Sequence, residues 1–156
     1  MIDIHPTAII KNGAQIGTGS SVGPYCIIGK NVVIGKNSKL ISNITIDGYT
    51  SIGDNCNFYP YSTIGTCPQD LKYKGEKSYL KIGNNNIFRE FVTINPGTKG
   101  GGLITSIGNN CLLMVSSHVA HDCQIGNNII LVNNASLAGH VIVDDYAVLG
   151  AFSGVH

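Results

Sequence analysis

The chain has 156 residues, enough for one domain, with a formal net charge of +1 and only 12% charged residues. Such a balanced charge gives no electrostatic footprint for nucleic acid or for an anionic membrane surface. Residues 1–6 lack the basic and apolar regions of a secretory leader, and no stretch approaches the ~18 apolar residues of a membrane span. We therefore expect a cytoplasmic protein with no nucleic-acid partner and no membrane span.

A six-residue repeat starts near the N-terminus. Every sixth position from Ile4 to Ile64 is apolar, and the residue that follows it is often glycine. These apolar positions are Ile4, Ile10, Ile16, Val22, Ile28, Ile34, Leu40, Ile46, Ile52, Phe58 and Ile64. A period of six fits neither an α-helix nor a long strand, but it fits a short strand followed by a turn.

Three such units would form one triangular coil, with the large apolar residue of each unit pointing toward the axis. Successive coils would then pair as parallel strands ~4.8 Å apart. The predicted fold is all-β: a single parallel β-helix domain over residues 1–156, with two excursion loops. Glycine and asparagine suit the turns because both tolerate positive φ, so we read the runs 84–86, 109–110 and 127–128 as turns.

The position four residues after each large apolar residue is small or β-branched, and we expect it to face inward as well. Cys26, Cys56, Cys111 and Cys123 occupy it and are therefore expected to be buried fillers. Cys67 lies outside the repeat. The odd number of cysteines and the absence of a CxxC spacing argue against a disulfide framework or a zinc knuckle.

Residues 66–79 and 97–105 interrupt the repeat, which resumes after each of them. Insertions in a solenoid project from one face, often the binding face. The first is unusually charged, which fits either a ligand site or a solvated loop. The repeat then continues to the end of the chain at His156, in the middle of a unit. We expect further coils, a capping segment or both to cover such an end.

The segment 117–123 is the densest group of polar, chemically active side chains. Val119 and Cys123 are the inward positions there, so we expect His118, His121 and Asp122 to lie at or near the outer surface. An imidazole can remove a proton from a hydroxyl near neutral pH. Since no GxSxG motif occurs, direct transfer promoted by a general base is the simpler chemistry.

Eighteen residues separate His121 from Gly139, which is one predicted coil. Gly139 should then lie ~4.8 Å from His121, with His140 beside it. A glycine at that place offers a backbone N–H and room for a reacting group, which is the layout needed to attack a carbonyl. Asp122 could orient the His121 ring if the turn falls between the two residues.

Several segments of this sequence resemble one family of enzymes. They are residues 64–76, 82–90, 100–102, 118–123 and 133–141, with Pro68-Gln69-Asp70-Leu71-Lys72-Tyr73 and His118-Val119-Ala120-His121-Asp122-Cys123 as the most specific. The repeat resembles the hexapeptide-repeat acyltransferases, whose parallel β-helix is left-handed. Within them, the segments closely resemble the acyl-[acyl-carrier-protein]–UDP-N-acetylglucosamine O-acyltransferases of lipid A synthesis.

This resemblance implies roles for individual residues. His121 matches the general base that activates the glucosamine 3-hydroxyl, and Asp122 matches its orienting carboxylate. Gly139 matches the residue whose backbone N–H stabilises the oxyanion of the thioester. Six further residues match positions that line the sugar-nucleotide and acyl-donor cleft: Gln69, Asp70, Lys72, His118, His140 and His156.

The resemblance also implies partners. The donor would be acyl carrier protein loaded with a 3-hydroxyacyl chain, and the acceptor UDP-N-acetylglucosamine, in the first step of lipid A synthesis. The family is cytoplasmic and homotrimeric, has sites between neighbouring subunits, and uses no cofactor and no metal. Its last coils and its C-terminal helical domain have no counterpart after His156.

Two other functions remain open from the residues alone. One is a zinc site of the γ-carbonic-anhydrase type, which shares this fold and would take His118, His121 and His140 as ligands. The other is a purely structural or ice-binding β-helix. The irregular charged loop at 66–79 disfavours the structural alternative.

Overall fold

Each six-residue unit forms a short strand followed by a turn. In the unit that contains Ser21 and Val22, Val22 is 1% exposed whereas Ser21 faces outward. Neighbouring side chains on a strand point to opposite faces, so one residue of each pair reaches the axis. The computed structural model describes residues 1–156 and shows this arrangement along the whole chain.

The strands form three parallel sheets, the three sides of a prism. The first sheet contains β1 (Asp3–Ile4), β4 (Ser21–Val22), β7 (Lys39–Leu40), β10 (Asn57–Phe58), β13 (Ile87–Phe88), β16 (Leu112–Leu113), β19 (Ile130–Leu131) and β22 (Val148–Leu149). The second contains β2 (Ile9–Ile10), β5 (Ile27–Ile28), β8 (Thr45–Ile46), β11 (Thr63–Ile64), β14 (Thr93–Ile94), β17 (His118–Val119), β20 (Ser136–Leu137) and β23 (Gly154–Val155). The third contains β3 (Gln15–Ile16), β6 (Val33–Ile34), β9 (Tyr49–Ile52), β12 (Tyr79–Ile82), β15 (Ile104–Ile107), β18 (Gln124–Ile125) and β21 (Ile142–Val143).

Each strand pairs with the strand one coil later, which confirms the predicted stacking. The register joins residues eighteen apart, as in His118 with Ser136. Across the first insertion, Asn57 pairs with Ile87 instead, so the inserted residues loop out and the register is kept. Position along the prism is therefore set by backbone pairing.

The core is a single column of side chains along the axis. It contains the predicted large residues from Val22 to Val143, and Phe58 stacks on Phe88 with ring centroids 4.7 Å apart. The predicted small positions are also buried, including all four cysteines of the repeat. Close packing of this kind leaves each position sensitive to side-chain volume.

Asparagine shapes many of the corners. It supplies seven of the sixteen non-glycine residues with positive φ, as expected for a residue that tolerates that conformation. The side chain of Asn84 accepts a hydrogen bond from the Asp54 N–H at 2.7 Å, and Asn109 does the same for the Asn84 N–H. The turn prediction holds for Asn84. The turn prediction is wrong for Asn86, whose side chain is fully buried in the small inward position.

Both insertions leave the prism near the same corner, between the second and third sheets. They are shorter than the interrupted repeat suggested, since β12 already begins at Tyr79 and β15 at Ile104. The cause is pairing with the neighbouring coil, which extends these strands to four residues each. The second insertion contains a three-residue 3-10 helix, Lys99–Gly101. No helix in the structure is long and apolar enough to cross a membrane.

Candidate active site

His121 and Asp122 form a hydrogen-bonded pair at one corner of the prism. The His121 Nδ1 lies 2.8 Å from Asp122 Oδ2. Asp122 has a φ of 61°, and this left-handed turn lets two sequence neighbours face each other. The turn between them, which the sequence required for the pair, is confirmed.

The carboxylate of Asp122 is held by the second insertion. The Thr98 N–H donates to Oδ1 at 2.8 Å, and the Thr98 hydroxyl donates to Oδ2 at 2.6 Å. A Cβ on Gly101 would lie 2.0 Å from Asp122 Cγ, so the loop backbone packs directly on the carboxylate. The Asp122 N–H in turn donates to the hydroxyl of Thr105 at 2.7 Å.

This loop overturns one expectation. The sequence placed Asp122 at or near the outer surface, but the residue is only 4% exposed. It does point away from the axis, as predicted, but residues 97–105 cover it. A buried carboxylate needs several hydrogen bonds to offset its desolvation, and Thr98 and His121 supply them.

Gly139 lies one coil further along the prism, against the His121 ring. A Cβ built on Gly139 would lie 2.4 Å from His121 Cε1 and 2.7 Å from Nε2. No other residue leaves space for the ring there. The Gly139 N–H donates to no group in the protein. The His121 Nε2 has no hydrogen-bond partner either, because the ring bonds to Asp122 through Nδ1. An imidazole nitrogen without a partner and an open amide donor therefore lie side by side.

Five of the six other predicted site residues fall into two grooves. Asp70 and Lys72 of the first insertion line one groove together with His140. The His140 and His121 rings meet edge to face, with centroids 5.1 Å apart. The second groove runs along the second sheet and is lined by His118 and His156.

Comparison with known proteins identifies the relatives of this chain. Residues 104–139, which contain the His121–Asp122 pair, match the family described as bacterial transferase hexapeptide (six repeats). The UDP-N-acetylglucosamine O-acyltransferase from Moraxella catarrhalis is 45% identical, with a TM-score of 0.96 over 98% of this chain and 60% of that chain. The UDP-N-acetylglucosamine acyltransferase from Francisella novicida is 47% identical, with a TM-score of 0.96 over 98% and 56%. LpxA from Acinetobacter baumannii is 46% identical, with a TM-score of 0.97 over 98% and 59%.

The chain belongs to the UDP-N-acetylglucosamine acyltransferase family. It spans about 60% of the length of the Moraxella relative. The resemblance found in the sequence is confirmed, and so is its implied fold, a left-handed parallel β-helix.

His118 is the candidate site histidine whose ring bonds to a threonine hydroxyl and whose pKa is shifted by burial. It is half-buried, and its Nδ1 lies 2.7 Å from the Thr93 hydroxyl. Burial lowers the pKa of the His118 imidazole, a hydrogen bond to Thr93 opposes this shift, and the nearby His121 lowers the pKa further. His118 is therefore favoured in its neutral form at neutral pH and can accept or donate a hydrogen bond toward the second groove.

Gln69 stands apart from both grooves. Its side chain is exposed on the first insertion, and it lines neither the groove of Asp70 and Lys72 nor that of His118. Cys67, also outside the repeat, is exposed as well.

Glu76 is a site residue that the sequence reading missed. Its carboxylate accepts hydrogen bonds from the Lys74 N–H at 2.8 Å and from the Lys99 N–H at 3.0 Å. These bonds, the one from Lys99 above all, lower the pKa of the carboxyl. Only the charge of Glu76 was visible in the sequence, because its partners belong to two insertions that have no repeat phase.

The ligand set considered for zinc is not the set that the structure brings together. The side chains that converge are those of His121, Asp122 and His140, whose nearest donor atoms lie within 4.8 Å of one another. His118 is not among them. The His121 Nδ1 lies 2.8 Å from Asp122 Oδ2 in a hydrogen bond, so this nitrogen already has a partner within the protein.

Proposed function

We propose that this chain carries the catalytic centre for transfer of a 3-hydroxyacyl group from acyl carrier protein to the 3-hydroxyl of UDP-N-acetylglucosamine. One observation carries the proposal: the His121 imidazole is fixed by Asp122 on one nitrogen, while its other nitrogen is open beside the free N–H of Gly139. The substrate is supported by the names of the relatives, which are UDP-N-acetylglucosamine acyltransferases.

In the first step, His121 acts as the general base. Asp122 accepts a hydrogen bond from Nδ1–H, so the lone pair of the neutral ring lies on Nε2. Nε2 removes the proton from the sugar 3-hydroxyl, and the oxygen attacks the carbonyl carbon of the thioester. The buried carboxylate stabilises the imidazolium that forms, as in other base–carboxylate pairs.

In the second step, the tetrahedral intermediate collapses. The Gly139 N–H is free to donate to the oxyanion, which lowers the energy of the charge that develops on that oxygen. The C–S bond breaks, the thiolate of the carrier leaves, and the imidazolium returns the proton to that sulfur. The new ester bond joins the acyl chain to the sugar, and no covalent intermediate with the protein forms.

The two grooves would hold the substrates on either side of His121. In the first groove, the Asp70 carboxylate can accept hydrogen bonds from a substrate, and Lys72 and His140 can donate them. These groups suit a sugar nucleotide and the acyl donor. His118 and His156 offer ring nitrogens along the second groove. Gln69 would contact a substrate only from the outer side of the first insertion.

The setting of this reaction is part of the same proposal. It is the first step of lipid A synthesis in the cytoplasm, carried out by a homotrimer whose sites lie between neighbouring subunits. Neither a cofactor nor a metal is required by the steps above.

A transfer assay with 3-hydroxyacyl carrier protein and UDP-N-acetylglucosamine tests the proposal. We expect His121→Ala to reduce the rate by about 10²-fold or more, as for loss of a general base. His5→Ala is the control, because His5 is an exposed histidine in the first coil. The proposal is wrong if the unaltered chain transfers no acyl group above the rate without protein, or if His121→Ala transfers as fast as His5→Ala.

A further inference from the structure

The two insertions are fastened to each other by one side chain. Glu76 of the first insertion accepts a hydrogen bond from the Lys74 N–H on Oε2 and one from the Lys99 N–H on Oε1. The first of these bonds is local, whereas the second crosses to the other insertion, 23 residues away. Each carboxylate oxygen therefore holds the backbone of a different loop.

On the side of the first insertion, Glu76 fixes a tight loop that displays Asp70 and Lys72. The Asp70 carboxylate accepts a hydrogen bond from the Lys72 N–H at 2.9 Å, which closes the turn. The Lys74 N–H, bound to Glu76, follows two residues later. Asp70, Lys72 and Glu76 line the same groove, which His140 closes on the other side.

On the side of the second insertion, Glu76 holds the residue next to Thr98. Thr98 donates both its N–H and its hydroxyl to the Asp122 carboxylate. Asp122 in turn bonds to His121. A path thus runs from Glu76 to the imidazole through the hydrogen bond to the Lys99 N–H, the peptide bond between Thr98 and Lys99, and the hydrogen bonds of Thr98 and His121 to Asp122.

No salt bridge competes for this carboxylate. The only ion pair between fully charged side chains joins Arg89 to Glu90, and the other close acid–base contact is the hydrogen bond between His121 and Asp122. Glu76 is bound by the backbone amides of Lys74 and Lys99. These hydrogen bonds fix the main chain of both loops, which a bond to a mobile lysine side chain would not do. Backbone N–H donors favour the charged form of a carboxylate, and this agrees with its lowered pKa.

We infer that Glu76 is a positioning residue that fastens the first insertion to the second, and so sets Asp70 and Lys72 at a fixed distance from the His121–Asp122 pair. The inference rests on the proposed function, because it assigns Glu76 a part in that same site. Glu76 acts through Thr98 and through the loop carrying Lys72, without touching the reacting atoms.

Glu76→Gln separates this role from mere charge or bulk. Glutamine has the same shape, but in this position its NH₂ group would face one of the two N–H donors, so only one of them keeps an acceptor. Glu90→Gln is the matched control, since Glu90 pairs with Arg89 outside the insertions. Amide hydrogen exchange of Lys74, Thr98 and Lys99 measures the fastening directly, and kcat and KM for acyl transfer measure its consequence.

We expect Glu76→Gln to increase exchange at the Lys99 or Lys74 amide, and also at the Thr98 amide, by about tenfold or more, which corresponds to a lost hydrogen bond. We expect kcat/KM to fall by about tenfold or more, with kcat and KM both changed, because small misplacements of catalytic and binding groups are costly. Glu90→Gln should leave all of these quantities unchanged, and thermal unfolding should confirm that both variants are folded.

Unchanged exchange at the Thr98 amide, or an unchanged kcat/KM in a folded Glu76→Gln protein that has lost protection, overturns the inference. If the unaltered chain transfers no acyl group, the proposed function fails on its own. In that case, exchange of the Thr98 amide still tests whether Glu76 holds the two insertions together. Faster exchange in Glu76→Gln supports this role, and unchanged exchange contradicts it.

Discussion

The imidazole of His121 lies against the backbone of Gly139, so closely that a methyl group on Gly139 would be 2.4 Å from Cε1. These two residues belong to consecutive coils, and the pairing of β17 with β20 fixes their separation. The spacing of base and amide donor is thus held by a ladder of backbone hydrogen bonds rather than by flexible side chains. A site fixed in this way needs little reorganisation when charge develops during a reaction.

Gly139→Ala should abolish most of the transfer activity. The added methyl group would displace the His121 ring and shield the Gly139 N–H, so we expect kcat to fall by about 10²–10³-fold, the usual cost of a lost oxyanion donor. The measurement is a steady-state transfer assay, with thermal unfolding to show that the fold is kept. Gly150→Ala is the control, since a Cβ there meets nothing within 4 Å. Equal activity of the two variants would contradict the role of Gly139.

Asp122→Asn should place the proton on the wrong nitrogen of His121. The amide group can donate to Nδ1, which leaves the proton on Nε2 and the ring unable to act as a base. We expect kcat to fall by about 10²–10⁴-fold, the higher value being that of a comparable triad. Nitrogen NMR of the His121 ring reports the tautomer.

Asp144→Asn is the control for that experiment, because Asp144 is exposed and distant from the insertions. Asparagine also tolerates the positive φ at position 122, so a loss of activity would not reflect backbone strain. A normal kcat in Asp122→Asn, or an unchanged tautomer, would remove Asp122 from its orienting role.

Stability should decrease on acidification because of His118. Burial, foremost, lowers the pKa of this imidazole in the folded chain, so the unfolded chain binds its proton first as the pH falls. The contribution is fully present above the unfolded pKa of ~6.5 and is lost as the pH falls toward the lower folded value. Urea unfolding at pH 8 and pH 5.5 measures it, and His118→Gln should show a smaller loss than the unaltered chain. An equal loss in both proteins would contradict the assignment to His118.

One thiol should react in the folded protein and five in the unfolded protein. Cys67 is exposed, whereas Cys26, Cys56, Cys111 and Cys123 are buried. Desolvation raises the pKa of each of these four thiols, which keeps them as poorly reactive thiols. Titration with a disulfide reagent, with and without denaturant, counts them. Cys67→Ser should show no fast-reacting thiol, and a remaining fast phase would mean that a core cysteine is accessible.

Phe88→Ala should strongly destabilise the prism. Phe88 is fully buried and stacks on Phe58, so its loss leaves a cavity in the axial column, and we expect the free energy of unfolding to fall by about 3–5 kcal/mol. Phe91→Ala is the matched control, because Phe91 is 54% exposed and stacks only on the exposed Tyr61. We expect about 1 kcal/mol there. Urea unfolding compares the two, and similar losses would contradict a core position for Phe88.

Much of the prism could be predicted from the sequence, since its core obeys a strict period. A six-residue spacing forces one large and one small residue of each unit toward the axis, and both are buried in the inner coils of the structure. The same period places Gly139 one coil from His121, so this contact was predictable by counting residues. Parallel pairing converts sequence distance into spatial distance as long as the register continues.

The insertions do not follow that rule. The spacing of Thr98 and Asp122 in the sequence does not indicate that the loop folds back over the carboxylate. The prediction that Asp122 is exposed was therefore wrong. The same holds for the bond between Glu76 and the Lys99 N–H. Loop contacts depend on where a chain without a repeating pattern settles, and only the tertiary structure decides that. The sequence alone thus determined the coil and the pairing of base with amide donor, whereas the folded insertions determined how that base is buried, oriented and bordered by the grooves.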